Sequence, residues 1–479
     1  MRTLSVIIRY DWKNLSAERT LWLIAALLAA ALAYGAQNGA RWVQFQQQVL
    51  DKVAKEEQER LRRLEHKLAQ SAPSAQAPPP FLDPTQPSAV GRRLGAKYAA
   101  LPPAPLAPLA VGQTDILPYY VKVTTGPADS FLNNDEIEHP AHLLSGRFDL
   151  TFVIVYLYPL LIFALTYNVL AGEKESGVLQ MTLSQPVGLR RLLTGKILAR
   201  FTFVTAFAVG LLALAALWAG LSLPSSDWWI RLGLWFLTVI LYGAFWFAVS
   251  ASINALGWNS ALCAAALTGL WILLVLVLPA LLNLYVRSAH PLPSRVEYVN
   301  AMRQATLEAS QQGAQLLARY LEDHPELASS PANRQDFAVI SIAMQNHVEE
   351  AVQPVLQRFE SQLEVQQRIT DRLRFLSPAL LCYSLLTDFA GAGNHRHRHF
   401  VALVRRFHQQ WRNWFVPRIV RGVRFERHDV ASLPSFRFIE EAPSAVMGRA
   451  LPALGGLAAM FFLAVAPAIW LIGRYPIAT

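Results

Sequence analysis

The sequence predicts an all-α polytopic membrane protein with six transmembrane helices and two large, mostly helical extracytoplasmic insertions. Of the 479 residues, 53% are hydrophobic and only 16% are charged, whereas about 25% of the residues of a soluble protein are charged. The chain also contains several uncharged runs of the ~20 residues that a helix needs to cross ~30 Å of hydrocarbon. We expect these runs to be helical, because a helix satisfies every backbone amide within lipid without closing a barrel.

Six runs are long and apolar enough to cross a membrane. The predicted spans are 20–36, 150–170, 200–221, 230–250, 260–286 and 450–472. Because basic residues such as Arg9 and Arg19 precede the first run, a cleaved signal peptide is the competing interpretation. The leader is long and contains the polar stretch 11–19, so we favour an uncleaved anchor.

The segment 171–199, between the second and third spans, sets the predicted orientation. Its basic residues are Lys174, Arg190, Arg191 and Lys196. Basic loops stay in the cytoplasm, so both termini are predicted to be cytoplasmic, in the inner membrane of a bacterium. Residues 1–19 then form a cytoplasmic amphipathic segment. Three aromatic residues at predicted outer ends fit the headgroup region, namely Trp228, Trp229 and Tyr285.

The formal net charge of +10 is spread over the flanks of the spans and two hydrophilic segments. This distribution favours contact with lipid headgroups or control of topology, and it does not indicate nucleic-acid binding. Cys263 lies in an apolar run and Cys382 in a hydrophilic segment, so the two are predicted at different depths. We therefore expect neither a disulfide nor a thiolate metal site.

Two segments, 37–149 and 287–448, are predicted outside the cytoplasm and are too long to be ordinary connections. Within the first, 45–68 predicts a helix dense in charge that extends the first membrane helix outward. Residues 71–87 are rich in Pro, Ala and Ser, which predicts an extended or disordered stretch. A second proline cluster follows at 102–108.

The second long segment predicts long amphipathic helices over 295–320 and 336–375, with His324 and Pro325 marking the turn between them. Residues 396–423 then mix aromatic side chains with arginines. Two interpretations stay open for this stretch. It forms a helix in the membrane interface, or it packs against the first long segment.

The cytoplasmic segment contains the most informative motif, Glu173-Lys174-Glu175-Ser176-Gly177-Val178-Leu179-Gln180. A charged start, a glycine for a tight bend and a proline that opens a second short helix predict a compact structure beneath the membrane. We interpret it as a docking surface. The residues expected to carry it are Glu173, Lys174, Glu175, Gly177, Pro186, Arg190 and Arg191.

This stretch resembles the coupling region of the ABC-2 type permeases, whose pattern is Glu-basic-Glu-x-Gly-Thr-Leu, then Pro-Val and a basic, leucine-rich turn. Val178 replaces the usual Thr, which removes a hydroxyl but keeps the bend and the charges. Other pieces resemble a subgroup with large external insertions that is known only as a domain of unknown function. They are residues 139–149, Val155-Tyr156-Leu157-Tyr158-Pro159-Leu160-Leu161 and, within 388–441, His397-Arg398-His399-Phe400, His408-Gln409-Gln410-Trp411 and Phe415-Val416-Pro417-Arg418.

The resemblance implies that the chain forms a dimer with a second permease, either identical or similar. The short cytoplasmic helices of the two permeases would then sit in grooves of two ATPase subunits. A rigid turn that is joined directly to two spans can transmit a movement of the ATPase subunits to those spans. The alternative interpretation is that the segment is an ordinary basic cytoplasmic loop. No phosphate-binding loop is present, because Gly195-Lys196 is followed by Ile197 and lacks the glycine five positions earlier. We expect no enzyme activity and no cofactor in this chain, with ATP and Mg bound by the partner.

His395, His397 and His399 alternate with Arg396 and Arg398. Imidazoles at this spacing converge only on a strand, where they are low-ranking candidates for zinc or copper binding. The adjacent arginines oppose a cation, so we expect no metal and favour a helix cap or a turn that contacts headgroups.

Asp135, Glu136 and Glu138 precede His139 and raise the possibility of acid–base work on an external substrate. No nucleophile or oxyanion motif accompanies them, so a solvated loop is favoured. The spans carry almost no internal charge apart from end residues such as Arg231, which argues against an ion-coupled transporter.

The sequence thus favours the permease subunit of an ATP-driven transporter whose cargo is amphipathic or bulky. An alternative is a mechanotransmitter, in which ATP hydrolysis inside moves external helices that act on a periplasmic or envelope partner without transport. A third hypothesis is a membrane receptor or scaffold without an ATPase. The expected partners are an ABC ATPase subunit, a second permease and membrane lipid.

Overall fold

The computed structural model describes residues 2–17, 19–70, 82–126, 148–185, 188–219, 221, 225–323 and 337–475. Some expectations concern residues outside these ranges. They are most of the proline-rich stretch (71–81), the acidic group Asp135, Glu136 and Glu138 with His139, the piece 139–147, Pro186, and the turn at His324 and Pro325.

The described chain is mostly helical. In chain order the longer helices are α1 (Arg2–Ala17), α2 (Arg19–Gln70), α3 (Tyr158–Thr166), α4 (Ala171–Glu175), α5 (Val178–Leu183), α6 (Leu189–Trp218), α7 (Ser226–Asn254), α8 (Ser260–Trp271), α9 (Leu278–Ala289), α10 (Arg295–Gln311), α11 (Gly313–Asp323), α12 (Phe337–Leu373), α13 (Pro378–Ala390), α14 (Asn394–Val420) and α15 (Pro443–Ile472). Two short strands, β1 (Lys97–Ala100) and β2 (Tyr120–Val123), pair in antiparallel fashion.

Among the described residues, six helical stretches are long and apolar enough to cross a membrane, so the chain is a multi-pass membrane protein. They are Arg19–Gln70, Leu150–Glu175, Leu189–Trp218, Ser226–Asn254, Ser260–Ala289 and Pro443–Ile472. Each overlaps one predicted span, which confirms their number. Single-turn π-helices at Val153–Leu157 and Ile272–Val277 interrupt the second and the fifth stretch.

Helix α2 continues far beyond the first predicted span, as the pattern over 45–68 predicted. Its 52 residues correspond to roughly 78 Å at 1.5 Å per residue. Two glycines let other backbone segments approach it closely. A Cβ on Gly39 would lie 2.1 Å from the carbonyl oxygen of Pro108, and a Cβ on Gly35 would lie 2.9 Å from the carbonyl carbon of Asp149. Helix α2 is therefore packed backbone to backbone against both segments.

The spans share one apolar core centred on α7, where Trp235, Tyr242 and Trp246 are fully buried. The hydroxyl of Tyr242 donates a hydrogen bond to the carbonyl oxygen of Val155 at 2.9 Å. Burial of this many aromatic side chains on one helix makes α7 the central element of the bundle.

Helix α13 corrects the prediction for the second long segment. This short apolar helix packs against α7 and α15, and Cys382 is completely buried within the core of the spans. The prediction of a hydrophilic setting for Cys382 is therefore wrong. Charged residues flank the helix on both sides in the sequence and Asp388 lies within it, and they obscured this short, mostly apolar segment. Both Cys263 and Cys382 are free thiols, as expected.

A second apolar core joins the two long segments. Trp42, Val90 and Val123 of the first segment pack with Phe400 and Trp411 of α14. Of the two interpretations of 396–423, the structure supports packing against the first long segment, because the aromatic face of α14 is buried in this core.

The predicted helices over 295–320 and 336–375 are present, although the first one breaks at Gln312 into α10 and α11. Helix α12 packs along α10 and is tied to α14, since the guanidinium of Arg412 donates to Glu349 at 2.6 Å.

Trp229 and Tyr285 are exposed, in agreement with a position facing lipid headgroups. Trp228 differs, because it is buried with the guanidinium of Arg231 4.5 Å from its ring. The prediction of a headgroup contact is wrong for Trp228.

Candidate functional site

The candidate site is the pair of short helices α4 and α5 between the second and third spans. Gly177 joins them in the left-handed conformation, with φ at 74°. An L side chain rarely adopts this backbone conformation, so glycine is the residue that allows the tight reversal. The bend predicted from the motif is confirmed.

Glu173 of α4 forms an ion pair with Lys196 of α6. Both side chains are mostly shielded from solvent, with relative exposures of 26% and 11%. The second carboxylate oxygen of Glu173 is buried and has no hydrogen-bond partner among the described residues. This ion pair fixes α4 against the start of the third span.

The other two charged residues of the motif contact the connection between the fourth and fifth spans. The ammonium of Lys174 donates to the carbonyl oxygen of Gly257 at 3.2 Å. The carboxylate of Glu175 accepts from the backbone amide and from the hydroxyl of Ser260, at 2.7 and 2.9 Å. All three charged residues of the motif, which predicted a docking surface, therefore make contacts within the chain.

Asn254, at the end of α7, is a functional candidate that the sequence analysis missed. Its amide oxygen accepts from the backbone of Leu170 at 3.2 Å, and its amide nitrogen donates to the carbonyl of Thr166 at 2.9 Å. A single Asn at the end of an apolar run was the available signal.

Helix α1 lies against α6 and adds a further tie that was not predicted. Arg200 pairs with the buried Asp11 of α1 at 3.4 Å and also donates to the carbonyl oxygen of Leu165. Gly195 permits this close approach, because a Cβ there would lie 2.7 Å from a methyl group of Ile7. The amphipathic N-terminal segment is thus packed onto the base of the third span.

A small apolar core supports α4 and α5 from behind. Its buried members include Val169, Leu179, Leu192, Leu193 and Tyr475. Because Tyr475 follows α15, the end of the sixth candidate span also contacts this unit. Arg190 and Arg191 are exposed on the first turn of α6, while Pro186 lies outside the described residues.

The remaining surface of the unit is exposed, and we call Ser176, Gly177, Val178, Gln180 and Met181 the tip. Its apolar members are Met181, which is 73% exposed, and Val178, which is 44% exposed. Ser176 and Gln180 are exposed polar neighbours. The tip therefore presents two apolar side chains beside two polar ones.

A separate polar cluster lies where α13 meets α14 and α15, around a small cavity that is open to solvent. Arg396 donates to Glu440 at 3.0 Å, and Arg449 donates to Glu441 at 2.7 Å. Asp388 lines the same cavity, where desolvation raises the pKa of its carboxyl to about 6 against the opposing charge of Arg449.

The three histidines considered for metal binding lie on helix α14, and the strand that the hypothesis required is absent there. Residues two apart on a helix point in different directions. His395 bonds to Arg398 at 2.7 Å, His397 to the carbonyl of Pro118 at 3.0 Å and His399 to the carbonyl of Ile439 at 2.9 Å. Within the described chain, no group of His, Cys, Asp and Glu is arranged for a metal ion.

Residues 295–439 match a family model described as a domain of unknown function (DUF3526). The match runs from α10 through α14 and ends before α15, so it includes most of the 388–441 stretch whose motifs resemble the insertion-bearing subgroup. It does not reach the tip. No curated protein matches the chain.

Proposed function

We propose that the chain is the membrane-spanning permease subunit of an ABC-2 type ATP-driven transporter, and that a separate ATPase subunit docks on the tip. The observation that carries the proposal is the construction of α4 and α5. An exposed apolar tip rests on a unit that hydrogen bonds and ion pairs tie to several spans. The motif resemblance suggests the class of partner.

The ties suggest how a push would be transmitted. The ion pair between Glu173 and Lys196 connects α4 to the third span. The hydrogen bond between Glu175 and Ser260 connects α4 to the start of the fifth span. Asn254 links the end of the fourth span to the end of the second. A displacement of the tip would therefore move four spans together, since a rigid unit passes on motion as a lever does.

The proposed topology places both termini and the tip in the cytoplasm of a bacterium and the two long segments outside its inner membrane. Basic residues around α4 and α6 support this orientation. The permease would work as a dimer with an identical or similar chain. Exposed apolar side chains on the outer face of the bundle, among them Leu284 and Phe462, would contact lipid.

A second candidate function is mechanotransmission to a periplasmic or envelope partner without transport. Helix α2 favours it, because one continuous helix begins beside α1 and contributes Trp42 and Leu64 to the core of the long segments. Movement at the base of α2 would displace that core. Spin labels at exposed Lys52 and Arg303 test whether ATP moves α2 relative to α10.

The test of the permease proposal is ATP hydrolysis by an ABC ATPase subunit from the same organism after both proteins are reconstituted in lipid. We expect Glu175→Gln with Ser260→Ala to keep the complex intact but to lose most of the stimulation, because the tie to the fifth span is removed. Glu308→Gln, an exposed change on α10, is the control. Equal stimulation of ATP hydrolysis by the wild type, the double variant and the control would contradict the transmission of movement through α4. It would favour a receptor or scaffold.

A further inference from the structure

Three side chains from three elements converge on one face of the β1–β2 hairpin. Tyr98 of β1 and Lys122 of β2 are direct cross-strand partners, so their side chains share a face. Helix α2 crosses this face and places the guanidinium of Arg60 5.1 Å from the centre of the Tyr98 ring. The hairpin and α2 thus form a shallow site with an aromatic floor.

The site is strongly cationic. Partial burial lowers the pKa of the Lys122 ammonium, and the nearby positive charges of Arg60 and Arg93 lower it further. The neighbouring carboxylate of Glu57 is already engaged, because it accepts from the backbone of Tyr98 at 2.7 Å and pairs with a different lysine, on β1. In the parts of the chain that the structure describes, no ion pair neutralises Arg60, Arg93 or Lys122.

Arg60 also has unused hydrogen-bonding capacity. Its Nε and one terminal nitrogen are shielded from solvent and have no partner among the described residues. Buried donors without acceptors are unfavourable, so native structures pair them with protein, water or ligand. Two N–H groups of one planar guanidinium match two oxygens of an oxyanion.

We propose that Arg60 and Lys122 bind the phosphate group of a soluble ligand on the Tyr98 face of the two strands. A phosphate monoester carries up to two negative charges and three acceptor oxygens, and it can therefore engage Arg60 and Lys122 at once. A single carboxylate has one charge and would leave this cluster of positive groups incompletely neutralised. This inference is independent of the proposed permease function.

The position of the site favours a soluble ligand over a phospholipid of the same bilayer. Arg60 lies 21 residues beyond Gly39 on α2, which corresponds to roughly 32 Å along the helix axis. The headgroup layer on one side of a bilayer is only about 5–8 Å thick. A helix that leaves the membrane along its normal carries Arg60 well past that layer.

The experiment measures binding of radiolabelled inorganic phosphate to the full chain in neutral detergent, at constant ionic strength. We expect saturable binding, weakened about tenfold by Arg60→Gln and also by Lys122→Gln. Lys122 is exposed, so its substitution tests the site even if Arg60→Gln impairs folding. Arg63→Gln removes one exposed charge from the same helix and should leave affinity unchanged.

Several results would overturn the proposal. Wild-type protein without saturable phosphate binding would do so, as would an equal loss of affinity in Arg63→Gln. Acetate that competes as well as phosphate would show a site for carboxylates. If phosphatidylglycerol in nanodiscs abolished phosphate binding while phosphatidylcholine did not, the ligand would be a lipid headgroup and the soluble source would be wrong.

Discussion

Glu175 of α4 accepts two hydrogen bonds from Ser260, the first residue of α8, at 2.7 and 2.9 Å. The two residues are 85 positions apart, and the contact joins the end of the second candidate span to the start of the fifth. Lys174 and Asn254 strengthen the same junction. The charged residues of the motif therefore hold the tip to the spans through contacts within the chain, while Val178 and Met181 stay exposed.

The ion pair between Glu173 and Lys196 should stabilise the fold. We expect Lys196→Met to lower the free energy of unfolding by about 1–3 kcal/mol, because it leaves a mostly shielded carboxylate without its partner. Adding Glu173→Leu should recover part of the loss. Thermal unfolding in detergent checks both, with Lys13→Met on the exposed surface of α1 as control. Additive effects of the two substitutions would contradict the pairing.

Substitution of Gly39 by alanine should destabilise the protein far more than the same substitution at another helical glycine. Gly39→Ala places a Cβ 2.1 Å from the backbone oxygen of Pro108, which cannot move away as a side chain would. We expect a loss of about 1–3 kcal/mol, the usual effect of overpacking. Gly210→Ala is the matched control, because nothing lies within 4 Å of its added Cβ. Equal melting temperatures for the two variants would show that α2 is not held against this turn.

Asp388 should make the protein less stable as pH rises. A carboxylate in a favourable ion pair has the opposite effect, because its pKa is lowered in the folded state. Desolvation raises the pKa of Asp388 from 3.8 to about 6, with Asp371 and Glu441 adding to the shift and Arg449 and Arg374 opposing it. Between pH 4 and 6 the folded state holds the proton more strongly, so stability falls as pH rises through this window.

Asp388→Asn removes this titration. At 1.36 kcal/mol per pKa unit, we expect the variant to be stabilised by up to about 3 kcal/mol at pH 7.5 and little at pH 4.5. The difference in melting temperature between variant and wild type at the two pH values isolates this one group. A difference that is constant with pH, or one that is larger at pH 4.5, would refute the assignment.

Trp411 should hold the two long segments together. It is completely buried, and its indole N–H donates to the carbonyl of Gly91 at 3.1 Å. We expect Trp411→Ala to cost about 3–5 kcal/mol locally and to expose 82–126 to proteolysis. Trp218→Ala, at a position that is 65% exposed, should leave the digestion pattern unchanged. Identical patterns for both variants would contradict a shared core.

Much of the helical architecture was predictable because its signals are local. Apolar runs marked the six candidate spans, and the charged helical pattern over 45–68 marked the extension of α2. The short helix α13 was missed because a mostly apolar segment of 13 residues that contains Asp388 and has charged flanks resembles part of a soluble helix. Its burial depends on α7 and α15, which are distant in sequence.

Only the local features of the candidate site were predictable, because contacts between distant parts of the chain leave no local pattern in the sequence. The bend at Gly177 follows from the residue itself, since its left-handed φ favours glycine. The partners of Glu173 and Glu175 follow from the packing of the second, third and fifth spans, which no local pattern encodes. The local motif therefore predicts the bend, while the intramolecular partners of its charged residues depend on tertiary packing.

The most direct test of the central claim is capture of the ATPase subunit by detergent-solubilised chain carrying Met181→Asp. Burying the new carboxylate against a partner is unfavourable, so we expect at least a tenfold loss of affinity with unchanged thermal stability. Asn14→Asp adds the same charge to exposed α1 and should bind as wild type does. Equal affinity of Met181→Asp and wild type would contradict docking at the tip.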